Sequence, residues 1–263
     1  MLQPIPDKLV VLTFDDGHRS DLHTVVPLLQ RFCFGATFFI PGRWKHRADA
    51  AAFLTWEEVE QLDSFGFEVG NHTLRHPNLL ECEAWEVAKE IDDLHQCLSD
   101  RGISPPVSFC YPGFHHNPLV ASVVQEKNFL FARRGVDGEF KTKEGFWRTL
   151  NVDSRFEDGN CGARGPTYDI THDHPLLIPI TLYYGSAMSF DDVKWAVSQA
   201  VNKQITVLCY HGVPEEKVSI STSVADFKQH MEYLHHEGCQ VIAMRDLQNY
   251  VDPAKFTRGP YDV

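Results

Sequence analysis

Positive charge is scarce in this chain: 24 lysines and arginines stand against 36 aspartates and glutamates, a formal net charge of -12. A nucleic-acid binder needs a basic face, so that class is disfavoured, and strongly anionic polymers make poor substrates for the same reason. Neutral sugars, amides or cationic ligands fit better. Long apolar runs are also missing. The hydrophobic stretches are strand-length and soon interrupted, so no membrane span is expected. Met1–Lys8 lacks the apolar core of a secretory signal. Seven cysteines (Cys33, Cys82, Cys97, Cys110, Cys161, Cys209, Cys239) are scattered with no C-x-x-C pair. An odd, dispersed set reads as free thiols in a reducing compartment, and a cytoplasmic protein is the expectation. Internal repeats, low-complexity tracts and Pro/Gly/Ser linkers are absent as well, so residues 1–263 read as one domain.

What is present is core-forming material, 43% hydrophobic and 12% aromatic, arranged as short apolar runs alternating with amphipathic stretches. Leu9–Thr13, Ala36–Ile40, Phe67–Gly70, Val107–Cys110, Asn128–Arg133, Ile178–Tyr184, Ile205–Tyr210 and Gln240–Ala243 read as strands. Helices are predicted over Leu22–Arg31, from the capping box Thr55-Trp56-Glu57-Glu58 to about Phe65, and over Glu83–Leu98, Phe190–Val201, Val224–His236 and Arg245–Tyr250. Strands alternating with helices imply βα units around a parallel sheet, and about seven units favour closure into a barrel. Ser154–Pro175, rich in Gly, Asp, His and Thr, is expected to be a long surface loop facing substrate.

The residues that carry chemistry fall just after predicted strands, where a parallel barrel gathers its functional groups. Asp15-Asp16-Gly17 ends the first strand, within Thr13-Phe14-Asp15-Asp16-Gly17. His72 and His76 follow the third, in His72-Thr73-Leu74-Arg75-His76. Tyr111-Pro112-Gly113 follows the fourth, and His211 follows the late strand that ends at Tyr210. A histidine pair four residues apart shares one face of a helix, but Pro77 disfavours helix at His76. A tight loop is therefore expected, pinned by Thr73. Two imidazoles and one carboxylate form a facial set for a single divalent ion, with positions left open for water and substrate. Zn2+ suits the ligand types best, with Co2+, Ni2+ or Fe2+ as alternatives. Only one of the adjacent aspartates is needed as a ligand, so the other is free to take a proton. Without chemistry, Asp16-Gly17 would be an ordinary turn. Asp15 would not, because an acid ending an apolar strand is costly without a partner.

These motifs resemble those of the NodB-homology polysaccharide deacetylases, carbohydrate esterase family four, and the similarity runs from about Leu9 to Tyr250. The resemblance implies a distorted (β/α)7 TIM-like barrel and metal-dependent removal of acyl groups, usually N-acetyl from amino sugars. It also implies Asp15 as general base, Asp16, His72 and His76 as metal ligands, and His211 as the acid that protonates the leaving group. Two positions depart from the pattern. Cys110 stands where the family often has an arginine that orients the base, as in a Tyr-Pro branch that lacks it, and Arg148 is the candidate to supply that role. Gly212 stands where an acidic partner of the histidine is often found. Tyr111, Pro112, Gly113, Phe114 and Trp147 are candidate substrate contacts, with Trp44 and Phe156 as further aromatics for sugar stacking. His115 and His116 should lie nearby, while His172-Asp173-His174 reads as solvated loop. The expected partner is a carbohydrate or small acylated molecule. Rival readings are a hydrolase of small or cyclic amides on the same fold, whose relatives alter the Asp-Asp element, and a non-catalytic sugar-binding domain with a vestigial metal site.

Overall fold

The computed structural model describes residues 2–43, 50–136, 140–141, 147–148, 153–155, 161–215 and 220–261. Its longer strands are β1 (Leu9–Asp15), β2 (Thr37–Ile40), β3 (Glu68–Asn71), β4 (Ser108–Cys110) and β5 (Phe131–Arg133). A hairpin, β6 (Phe140–Lys141) and β7 (Trp147–Arg148), pairs only with itself among the described residues. Four two-residue strands follow: β8 (Asp153–Ser154), β9 (Ala163–Arg164), β10 (Tyr168–Asp169) and β11 (Leu182–Tyr183). β12 (Gln204–Tyr210) and β13 (Gln240–Ile242) complete the set. The helices are α1 (Val26–Phe32), α2 (Trp56–Ser64), α3 (Ala84–Ser99), α4 (Pro118–Glu126), α5 (Phe190–Ser198) and α6 (Val224–His236).

The main sheet runs β5-β4-β3-β2-β1-β12-β11-β9-β8. Its pairings from β5 through β1 to β12 and β11 are all parallel. Ile178, just upstream of β11, bridges in parallel to Arg133. Its amide donates to Ala132 and its carbonyl accepts from Arg134, each at 2.9 Å. That ladder joins the two ends of the curled sheet, giving the distorted (β/α)7 barrel expected from the alternation of elements.

Parity along the strands decides which way each side chain points, because successive residues face opposite sides. Leu9 and Val11 of β1 pack inward with Phe39, Cys110, Phe131, Ile205 and Val207. Val10, Leu12 and Phe14 pack outward under the helices, with Phe38, Leu208 and Tyr210. Both faces of β1 are therefore buried and the strand reads as a continuous apolar run. The same parity turns Asp15, Cys209, His211 and Arg133 inward at the upper mouth of the barrel. Gly70 is glycine for a related reason: a Cβ there would lie 2.4 Å from the inward Phe39 ring.

The sequence-predicted helices are present, with informative differences. Thr55 and Glu58 form the expected capping box, at 2.9 and 3.3 Å, and α3 buries Val87, Ile91, Leu94 and Leu98. The first helix opens with a π turn, Asp21–Val25. The expected last helix is a 3-10 segment, Met244–Asn249. α4 was not predicted, although its start is chemically explicit: Asn117 accepts the Val120 amide at 2.8 Å and Pro118 takes the first helical position. The largest correction concerns Ser154–Pro175. Rather than a plain surface loop, its described part holds β9, paired with β11, and β10, paired with β12. Ala163 and Tyr168 are fully buried. Two-residue strands are too short for alternation to register in a sequence.

Within the core, His230 on α6 is fully buried among aromatic rings, stacked on Phe190 and edge-on to Tyr184. Tyr210 Oη lies 3.2 Å from its Nδ1, and its Nε2 has no hydrogen-bond partner. Burial lowers its pKa to about 4, so the folded protein resists a proton that the unfolded chain accepts near 6.5. Its stabilising contribution is complete above about pH 6.5 and declines as the pH falls toward 4, by an amount of order 3 kcal/mol. We expect His230→Leu to flatten the pH dependence of stability across that window in urea titrations of metal-free protein. An unchanged slope would show that His230 does not set it.

Candidate active site

Asp15 is 1% exposed at the end of β1, and a bare carboxylate there would be prohibitively costly. Its partner is Arg133, itself fully buried at the end of β5, whose Nη2 lies 2.5 Å from both carboxylate oxygens. The same nitrogen is 2.9 Å from Cys110 Sγ, and Cys110 is the in-register neighbour of Arg133 on β4. A small side chain at 110 leaves room for the guanidinium to cross toward β1. Cys110 and Cys209 thiols each approach Asp15 Oδ2 at 3.7 Å. Burial pushes the Asp15 carboxyl up, but the Arg133 guanidinium, with His211 and His72, more than offsets this and holds it well below the ordinary carboxylate range. Both thiols are driven upward by burial and stay protonated.

The histidine loop is tight, as expected, and its ties are specific. Asn71 Oδ1 accepts the Thr73 amide at 2.9 Å, and Thr73 Oγ1 accepts the His76 amide at 3.0 Å. Leu74 donates to the Glu90 carbonyl at 3.0 Å, and Glu90 accepts the Arg75 amide at 2.8 Å. The loop is thus bolted to the second turn of α3. Asp16, Thr73 and His76 all hold positive φ, 72°, 64° and 52°, a conformation that persists only where the surroundings impose it.

His72 Nδ1 lies 2.9 Å from the Cys110 carbonyl. A carbonyl only accepts, so Nδ1 carries the proton and Nε2 presents a lone pair. Burial, then the neighbouring His76, lowers the His72 pKa to about 4, so the ring is neutral. That Nε2 faces Asp16 Oδ1 at 3.7 Å, and His76 Nε2 faces the same oxygen at 3.6 Å. These separations are too long for hydrogen bonds. They approach the roughly 3.4 Å expected between two ligands about 2.1 Å from a tetrahedral ion. The donor atoms of Asp16, His72 and His76 all lie within 4.8 Å of one another. By donor chemistry and spacing, the three fit a divalent metal.

His211 follows β12 with Nε2 3.6 Å from Asp15 Oδ2. Its ring is packed edge-on by Tyr183 and Phe114, with centroids at 5.1 and 6.4 Å. On its other side Nδ1 meets Cys209 Sγ at 3.9 Å. Gly212 cannot be replaced by an acid: φ is +75°, and a Cβ would sit 2.6 Å from His18 Cγ. Packing and a thiol hold the His211 ring where a carboxylate is otherwise expected.

The structure therefore brings Asp15, Asp16, His72, His76 and His211 together, with Phe114 at their edge. Tyr111 departs from expectation: its side chain is fully buried and its hydroxyl donates to the Leu176 carbonyl at 2.9 Å, away from the site. Pro112 is buried beside it, and Gly113 is exposed. His116 also turns inward, bonded to Tyr261, and His174 anchors the chain end through the Arg258 carbonyl at 3.2 Å. Trp147 and Arg148 form β7, but their side chains, like Trp44 and Phe156, lie outside the described residues. Arg133 was not singled out in the sequence. The available signal was two adjacent arginines, Arg133-Arg134, closing an apolar strand.

Residues 3–132 match the polysaccharide deacetylase family. Chitooligosaccharide deacetylase from Azorhizobium caulinodans is 37% identical over 90 residues, covering 34% of this chain and 40% of that protein. Peptidoglycan-N-acetylglucosamine deacetylase from Bacillus cereus is 28% identical over 127 residues, covering 48% of this chain and 56% of that one. The chain spans 12% to 56% of the length of the curated relatives it matches. Among solved structures, the chitin deacetylase of Colletotrichum lindemuthianum superposes with a TM-score of 0.59 at 16% identity, covering 97% of this chain and 92% of that one. The fold is that of the carbohydrate esterase family four deacetylases. Over residues 3–132 this chain is a member of the polysaccharide deacetylase family.

Removing the Arg133 charge leaves Asp15 buried and unpaired. Arg133→Met is expected to destabilise the fold by about 3–5 kcal/mol, read as a lower urea midpoint. Asp15→Asn/Arg133→Met should recover part of that loss, and a double variant no more stable than Arg133→Met would sink the assigned pairing.

Proposed function

We propose that this protein is a metal-dependent hydrolase that removes acetyl groups from N-acetylated amino sugars, in oligomeric or polymeric form. The observation that carries the reading is the adjacency of a three-donor cluster, Asp16, His72 and His76, to a separately buried, arginine-paired carboxylate, Asp15. Zn2+ suits two imidazoles and a carboxylate best. When bound, the ion would acidify water and polarise the acyl carbonyl.

The remaining chemistry belongs to the chain. Arg133 keeps Asp15 ionised throughout the working range and fixes the direction of both oxygens. A carboxylate held so acidic is a weak base toward ordinary water. Its use as general base therefore fits a donor whose acidity is raised beside it. His211, 3.6 Å from Asp15 Oδ2, is positioned to give a proton to the departing amine, or to an alkoxide if the substrate is an ester. In the Tyr111–Phe114 turn, the Tyr111 and Phe114 amides are occupied by Arg133 and Tyr111 carbonyls. Pro112 has no N–H, so the exposed Gly113 amide is the donor left to meet the tetrahedral oxyanion. Phe114, edge-on to Tyr183 at 5.8 Å, gives the mouth an apolar wall for the acetyl methyl group.

No described helix is long and apolar enough to cross a membrane. The seven cysteines are all free, which fits a reducing compartment such as the cytoplasm.

Zinc-loaded protein should release acetate from at least one of chito-oligosaccharides, acetylated xylan, N-acetyl monosaccharides or a generic acetate ester. His76→Ala should lose bound metal, whereas Asp15→Asn should keep it and fall at least 100-fold in turnover. Activity surviving Asp15→Asn would remove Asp15 from the base role. Silence across the panel with metal bound would overturn the deacetylase reading.

A further inference from the structure

A cavity of about 560 Å³ opens on the outer flank of the barrel, lined by Asp153, Arg164, Gly165, Pro166, Thr167, Trp195 and Gln199. It lies between the β8–β9 edge of the sheet and the second half of α5. The catalytic groups are elsewhere. Thr167 is bonded to Gln204 at the start of β12, whereas His211 follows its end, seven residues and roughly 20 Å further along the strand.

The walls are fixed before any ligand arrives. Arg164 lies over the Trp195 ring, 4.7 Å from its centroid. Its Nε and Nη2 donate to Asp192 Oδ1 at 2.7 and 2.6 Å. Asp192 is 1% exposed and is tied in turn to Ser189 and Arg155. Gln199 Nε2 is held by the Trp195 carbonyl and Ser198 Oγ at 3.4 and 3.1 Å. Charge cancels across this frame, with Arg155 and Arg164 against Asp153 and Asp192. An anion or a cation would therefore gain little there. The lining combines an indole with an amide, a hydroxyl and planar charged groups, in a volume typical of small-molecule sites. That combination suits a neutral polyhydroxylated ligand.

We propose that this cavity is a second saccharide-binding site, which takes a neutral sugar unit of a long substrate while another unit of the same or a neighbouring chain occupies the catalytic mouth. The assignment rests on the sugar-deacetylase reading for the kind of sugar bound. Its consequence is a preference for long substrates created far from the chemistry.

The test uses N-acetylchitohexaose and N-acetylchitobiose as probes. In the zinc-loaded Asp15→Asn protein, the Trp195 indole N–H signal, assigned by its loss in Trp195→Phe, should shift saturably with hexamer. It should do so again in His76→Ala, whose catalytic mouth is disabled. Gln199→Trp, at the half-buried C-terminal cap of α5, should block the shift and raise KM for hexamer about fivefold or more. The same variant should leave kcat, dimer kinetics and turnover of an acetate ester unchanged. Acetate release from hexamer without any Trp195 shift, and with KM indifferent to Gln199→Trp, would overturn the second site while leaving the deacetylase reading intact. A Trp195 shift in protein that releases no acetate would keep the second site and overturn that reading.

Discussion

Burying a carboxylate at the inner end of β1 is the constraint around which the upper mouth of this barrel is organised. Asp15 faces inward because strand parity leaves it no choice, and a charge there must be answered from within the barrel. Arg133 answers it from β5, reaching across Cys110. The pair explains features that otherwise look unrelated. A thiol stands at 110 because a larger side chain would obstruct the guanidinium. A second thiol at 209 fills the remaining space without bringing another charge. Such a pair contributes less to net stability than to geometry, since desolvation of both ions offsets most of their attraction. What it secures is the orientation and ionisation of one carboxylate.

The donor cluster beside it depends on a different device. Three of its backbone positions sit at positive φ without being glycine, and none would hold that shape in an isolated peptide. At Thr73 and His76 the hydrogen bonds that impose it come from Asn71, Thr73 and Glu90, and α3 supplies the rigid support. His72 is oriented by the Cys110 carbonyl, so the same residue of β4 serves both the histidine and the arginine, one through its backbone and the other through its size. Base and ligand cluster are thereby locked to one strand.

Much of this was legible in the chain because it follows from short-range rules. Asp15-Asp16-Gly17, His72, His76 and His211 could be found since each lies one step beyond a strand whose apolar run is unambiguous. The capping box at Thr55 and the buried stripe of α3 followed from local chemistry in the same way. Arg133 escaped because its meaning is tertiary: only the β4–β5 register and the curl of the sheet bring it to Asp15, 118 positions away. Tyr111 misled for a similar reason. A tyrosine beside a turn looks like a substrate contact until Leu176, from a distant segment, accepts its hydroxyl. The stretch after Ser154 was opaque because its strands are two residues long and are held by partners rather than by their own propensity.

The distribution of sulfur has a practical consequence. The thiols nearest the chemistry, Cys110 and Cys209, are buried and held protonated, which makes them poor nucleophiles. Cys33, at the end of α1 where the chain turns toward the start of β2, is the exposed cysteine. It lies at the opposite end of the barrel from Asp15. A maleimide dye or spin label would react there first, giving a reporter of tumbling or surface attachment at a point remote from the mouth.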